Sequence, residues 1–253
     1  MLSVLTLNLH SQRDRWLGRR ELLLSGILDE LPDFIAFQDV SVVGRQVNWL
    51  ARQINARWGN HLYYWVQIGR HRFRPTATGG TAILSRLPII RHEKIDLGHQ
   101  QVALLANIEL PLGRTLDFVS AQLSAEPHMR QVRHEQIMAL SSALAANGRS
   151  PYQIIGCDLA APPSSRVVHR IKENYISAFE HIHDTDPIAT YPTALITHNI
   201  TETTCVDYIF ASTVINIHDV RFFGRQPHPA DPNLFPSDHI GIIANITFPD
   251  VTI

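Results

Sequence analysis

Apolar and polar positions alternate from Leu2 to Leu9, the period of a strand with one buried face. The period then changes. Leu22, Leu23, Ile27, Leu28 and Leu31 share one face of a helix over Arg19 to Leu31, and Pro32 stops it because proline disfavours helix in the residue before it. Asp33 to Gln38 is a second strand, ending at Asp39. Val43, Val47, Leu50, Ile54 and Trp58 recur at helical spacing, ahead of an aromatic strand at Leu62 to Ile68. From Thr81 to Leu123 the runs TAILS, IIRHEKIDL, QVALLANIEL and TLDFVSAQL, separated by turn signals such as Arg86-Leu87-Pro88 and Pro111-Leu112-Gly113, predict an antiparallel meander. A long amphipathic helix over Pro127 to Asn147, closed by Gly148, leads to a buried strand at Tyr152 to Cys157. A helix near Ser164 to Lys172 follows, then a poorly patterned stretch to Thr203. Strands at Thr204 to Ala211, Val214 to Phe223 and His239 to Phe248 complete the chain; Gly69 to Gly80 and Gly224 to Pro236 read as loops.

This order carries a positional consequence. A strand ending at a polar residue, a helix, then a strand ending at an aspartate occurs twice, pairing Asn8 with Asp39 and Gln122 with Asp158. Each strand-helix-strand unit makes its two strands parallel, so their C-terminal ends emerge at one sheet edge. Asp207 and the pair Asp238-His239 sit where strands begin, and a strand running antiparallel to the others begins at that same edge. Taken singly, each aspartate is more often a helix cap or turn residue than a ligand. Gathered together, they repel one another unless a cation holds them. A set rich in oxygen ligands and poor in sulfur favours Mg²⁺ or Mn²⁺ over Zn²⁺, and such sites commonly serve phosphate chemistry.

Composition narrows the field. The 253 residues are 45% hydrophobic and 18% charged, which suits one layered α/β domain spanning residues 1–253. A formal net charge of -1 provides no overall attraction for long duplex nucleic acid. The N-terminus has no basic leader and no segment is long and apolar enough to span a bilayer, so a cytoplasmic protein without a membrane span is expected. Cys157 and Cys205 are too few for a disulfide framework, and the histidines, His181-Ile182-His183-Asp184 included, lack zinc-type paired spacing. Arg70, Arg72 and Arg74, with His71, lie in a loop where they either grip substrate phosphates or are simply solvated. Arg13, Arg15, Arg19 and Arg20 around the first helix invite the same two readings.

At these residues the sequence resembles the endonuclease/exonuclease/phosphatase superfamily. LTLNLH looks like its opening strand, FIAFQDV its QE segment and GGTAILSRLPI its GxAILSR-P run. DFVSAQLS stands where the superfamily has a T-H-L segment, GCDLAAPP where it has GDFNAPP, CVDYIFAS where it has IDYIF, and FPSDHIGIIANI where it has SDHxP. The resemblance implies a four-layer α/β/β/α sandwich of two mixed sheets with outer helices, and a site at one end. It also implies roles. Asn8, Asp39 and Asp238 would surround the metal, Asp158 would activate water, and His239, aligned by Asp207, would contact the scissile phosphate. Three positions depart from the pattern: Asp39 stands for a Glu, Gln122 for a His and Ala160 for the Asn of GDFN. The expected activity is metal-dependent hydrolysis of a phosphorylated small molecule or a nucleic-acid substrate. The departures leave open a catalytically impaired module that binds a phosphorylated ligand or a protein, and a DNA endonuclease or exonuclease is the remaining alternative.

Overall fold

The computed structural model describes residues 1–11, 15–58, 63–69, 79–196 and 203–249. The opening alternation becomes β1 (Leu2–Asn8), followed by α1 (Trp16–Glu30), β2 (Phe34–Gln38), α2 (Gln46–Trp58), β3 (Tyr64–Gly69) and β4 (Gly80–Ser85). The chain continues through β5 (Ile89–Gly98), β6 (Gln101–Leu110), β7 (Arg114–Gln122), α3 (Arg130–Asn147), β8 (Gln153–Asp158) and α4 (Arg166–Lys172). Next come β9 (Ile176–Ser177), α5 (Ala178–His183), β10 (Asp207–Ala211), β11 (Asn216–Phe223) and β12 (Gly241–Thr247).

The described residues form two six-stranded sheets, ordered β11-β12-β1-β2-β4-β3 and β5-β6-β7-β8-β10-β9. β1 and β2 pair in parallel, as do β7 and β8, which places the four polar strand ends as the strand-helix-strand argument requires. Three apolar layers hold the sandwich together. Val4, Phe34, Ile83, Phe118, Ile154 and Ile242 pack between the sheets. Leu23, Leu24, Ile27, Leu50 and Ile54 seat α1 and α2 on the first sheet, while Ile137, Leu140, Leu144, Val168 and Ile171 seat α3 and α4 on the second. Full burial of each such side chain contributes about 1.5–3 kcal/mol.

The sheets approach closely at Gly156, two residues before the end of β8. A Cβ added at Gly156 would lie 2.6 Å from the Ala36 Cβ and 3.0 Å from the Thr6 hydroxyl, so only glycine fits between these strands. The space also lets the Gln38 amide bridge the sheets, donating to the Gly156 carbonyl at 3.1 Å and the Ser120 hydroxyl at 3.2 Å.

Several expectations are revised. The run TAILS is not part of the meander: β4 pairs with β2 and β3 in the first sheet, and only β5, β6 and β7 form an antiparallel meander in the second. The Arg86-Leu87-Pro88 turn carries the chain from one sheet to the other, a step that strand periodicity does not encode. The first helix begins at Trp16, not Arg19, and ends with Leu31 in the left-handed region at φ 45°. The poorly patterned stretch contains β9 and α5, both too short to show a period. Arg19 belongs to neither reading offered for its basic cluster. It is fully buried, and its guanidinium donates to the carbonyls of Leu9, His10 and Pro236, each at 3.2 Å. No helix among the described residues is long and apolar enough to cross a membrane.

Candidate active site

Strand pairing brings the second sheet's share of the site together. Asp158, the last residue of β8, is flanked in register by Gln122 of β7 and Asp207 of β10. Its Oδ2 accepts from the Gln122 amide at 3.2 Å and, across the sandwich, from the Asn8 amide at 2.9 Å. Its Oδ1 accepts from the Ala160 N–H at 2.9 Å. Three donors therefore fix the carboxylate plane. Asn8 is fixed in turn, because its Oδ1 accepts the His10 N–H at 2.9 Å.

His239 lies just ahead of β12 in the first sheet, yet its Nδ1 sits 2.9 Å from Asp207 Oδ2 in the second. Asp207 is fully buried and His239 only 7% exposed. Burial pushes Asp207 up to about 6, against the opposing charge and hydrogen bond of His239. For His239, burial acts to lower the pKa, but Asp207, with Asp158 and Asp238 behind it, outweighs burial and raises it to about 10. At neutral pH the pair is imidazolium and carboxylate, with Nδ1 donating.

Asp238 faces a different partner. Its Oδ2 lies 3.1 Å from His10 Nδ1, and its Oδ1 accepts the Ser237 hydroxyl at 3.2 Å. Burial would raise Asp238, but the His10 hydrogen bond and the charges of His239 and His10 hold it below the usual carboxylate value. Asp39 follows β2 at φ 45°, a left-handed position that Asp tolerates better than Glu, and its Oδ2 accepts the Ser11 N–H at 3.0 Å.

Ligand atoms of Asp158, Asp207 and His239 all lie within 4.8 Å of one another, and Asp207 Oδ1 is buried without a hydrogen-bond partner. A divalent cation fits this concentration of carboxylates. A protonated ring whose Nδ1 already serves Asp207 repels a cation, so the chemistry of His239 suits an anion better than a metal ion. The side-chain oxygens of Asp39, Asn8 and Asp238 lie at or near the adjoining strand ends.

Asn8, Gln122, Asp158, Asp207, Asp238 and His239 thus meet at one rim, with Asp39 on the neighbouring strand end. Arg70, Arg72 and Arg74 lie outside the described residues. Sequence reasoning missed His10, Thr190 and Tyr191. The Thr190 hydroxyl accepts the backbone N–H groups of Val206 (3.0 Å) and Asp207 (3.1 Å), positioning the start of β10. The Tyr191 ring packs on His239 with centroids 4.6 Å apart. Only His10, next to Asn8, carried a sequence signal; Thr190 and Tyr191 fall in the unpatterned stretch. Thr81 and Ser124 are engaged internally, Thr81 donating to the Phe37 carbonyl at 3.0 Å and Ser124 accepting from the Gln136 amide at 2.9 Å.

The model of the Endonuclease/Exonuclease/phosphatase family matches residues 5–239. Among solved structures, D. rerio TDP2 complexed with single-strand DNA product superposes with a TM-score of 0.79 at 15% identity, covering 97% of this chain and 98% of that one. The human Nocturnin catalytic domain with bound sulfate gives 0.77 at 20% identity, covering 98% and 93%. An endonuclease/exonuclease/phosphatase from Bacteroides vulgatus gives 0.77 at 14% identity, covering 98% of each chain. At these identities the superpositions establish the fold. No curated protein matches the sequence.

Proposed function

The chain belongs to the endonuclease/exonuclease/phosphatase family, and we propose that it hydrolyses phosphoester bonds with the help of Mg²⁺ or Mn²⁺. The observation carrying this reading is the buried His239–Asp207 pair, 2.9 Å apart, set beside Asp158 where the two sheets end. Asp39, Asn8 and Asp238 would hold the cation, which when bound neutralises charge on the phosphoryl oxygens.

Asp158, oriented by Asn8, Gln122 and the Ala160 N–H, positions the attacking water and takes up its proton. His239 keeps Nδ1 on Asp207 and turns Nε2–H toward a phosphoryl oxygen, where negative charge grows as the leaving oxygen departs. Tyr191 limits how that ring can tilt. The solved neighbour carrying a single-strand DNA product supports single-stranded nucleic acid among the candidate substrates.

A second reading, a phospholigand-binding member with impaired catalysis, is favoured by two details. The Gln122 amide is spent on Asp158 at 3.2 Å, and Ala160 has no side-chain donor. Each missing donor of this kind costs on the order of 10² to 10³ in rate. One experiment separates the readings: the purified chain with Mg²⁺ or Mn²⁺ on a generic phosphodiester, a phosphomonoester and a nicked or abasic duplex, beside His239→Ala. Metal-dependent turnover that falls at least about 10² fold in the variant supports the enzyme. Absence of turnover throughout, with no metal bound by calorimetry, supports the binding protein.

A further inference from the structure

Close to the proposed active site, the first turns of α1 and α2 and the loop between β2 and α2 line an open cavity of about 690 Å³. This falls within the range of small-ligand sites. Its walls combine flat aromatic surface with positive charge. Trp16 and Trp49 meet edge to face with ring centroids 6.3 Å apart, both half-buried. The Arg20 guanidinium lies 4.5 Å from the Trp49 ring centroid. Arg45 and Arg52 project from the rim, exposed, and neither guanidinium has an acidic partner among the described residues. Among the described lining residues there is no Asp or Glu, in a chain whose net charge is -1. Glu21, the nearest acid in sequence to Arg20, lies 3.4 Å from Arg20 Nε and 4.0 Å from Arg57 and is not part of the lining.

The cavity wall is also wired to the catalytic end. Ser41 N–H donates to Gln46 Oε1 at 2.8 Å, and Gln46 Nε2 donates to the His10 carbonyl at 3.3 Å. The His10 ring in turn contacts Asp238 at 3.1 Å.

We propose that this cavity binds a nucleotide, with the base against Trp16 and Trp49 and the phosphate on Arg45 and Arg52. A simple anion would have no use for the indole surface, and an apolar ligand would face two guanidiniums that have no acidic partner among the described residues. A planar π-system joined to a phosphate satisfies both walls. Two sources share that chemistry, a free nucleotide and one unit of a single strand whose scissile bond lies at the neighbouring rim. The second source rests on the phosphoesterase reading; the pocket itself does not.

Calorimetric titration of the whole chain without metal tests this, using AMP, a short single-stranded oligonucleotide and inorganic phosphate. AMP is expected to bind at least tenfold more tightly than phosphate. The double variant Arg45→Glu/Arg52→Glu, altering exposed side chains only, should weaken AMP at least tenfold with an unchanged melting temperature, and His239→Ala should leave AMP binding intact. An oligonucleotide that binds more tightly than AMP identifies a strand as the source, and equal affinity identifies a free nucleotide. The proposal is overturned if AMP does not bind, if phosphate binds equally well, if the arginine variant binds as wild type, or if His239→Ala abolishes binding. Nucleotide binding without any hydrolysis would retain the pocket and discard the enzymatic reading.

Discussion

The Nδ1 of His239, from the lead-in to β12, lies 2.9 Å from Oδ2 of Asp207, the first residue of β10, so one buried ion pair ties the ends of two different sheets. The Asn8–Asp158 hydrogen bond at 2.9 Å spans the same divide. A rim built this way is positioned by the packing of the sandwich as a whole, not by a single loop.

This pair predicts a pH signature in stability. His239 is raised to about 10, so the folded state holds a proton that the unfolded chain releases near 6.5. Its stabilisation is complete below 6.5 and is lost as pH rises through about 10. Asp207 is raised by burial from 3.8 to about 6, so its ionisation costs stability over that interval. Thermal melts should therefore decline from pH 7 to 10.5 in the wild type and decline less in His239→Gln. Equal slopes in both proteins would contradict the assignment.

Activity should follow the same pair. With Asp207→Asn the imidazole keeps a hydrogen-bond partner but loses the largest of the charges that oppose burial, so the His239 pKa falls. Turnover should fall by roughly 10² to 10⁴, the usual worth of such a group. The pH profile of the wild type should show an acidic limb whose apparent pKa belongs to the pair jointly. A variant retaining full activity at pH 7 would remove His239 from the mechanism.

Ala160 sits at φ 47°, a backbone conformation that Asn adopts more readily than Ala. Ala160→Asn should thus be tolerated and supply the donor absent from this rim, raising the rate on a phosphodiester by up to about 10². Differential scanning calorimetry and steady-state kinetics check the two halves. An unchanged rate would show that the lost donor is not what limits this chain.

Asn8→Ala leaves Asp158 Oδ2 with only the Gln122 amide and deprives the His10 N–H of its acceptor. The expected cost is about 1–3 kcal/mol of stability, read from denaturant unfolding. On the proposed placement of the cation beside Asn8, a loss of metal affinity by calorimetry should accompany it.

Gly156→Ala should destabilise by about 1–3 kcal/mol through overpacking, because the new methyl group meets the Ala36 Cβ at 2.6 Å. Chemical denaturation measures this directly. A neutral outcome would mean that the sheets separate more easily than their packing indicates.

The sequence by itself determined the alternation and helical periods, the two strand-helix-strand units, and hence that Asn8, Gln122 and Asp158 end strands at one edge. These follow from local chemistry, in which a residue's period and its neighbours suffice. Only the tertiary structure decided which groups touch. Arg19 looked like surface charge, yet it is buried on three carbonyls that approach from the Leu9–His10 turn and from Pro236. Tyr191 reached His239 from a stretch with no period, and β4 left the meander to join the other sheet. Such contacts join residues far apart in the chain, and their energy exists only once both sheets have closed on a shared core.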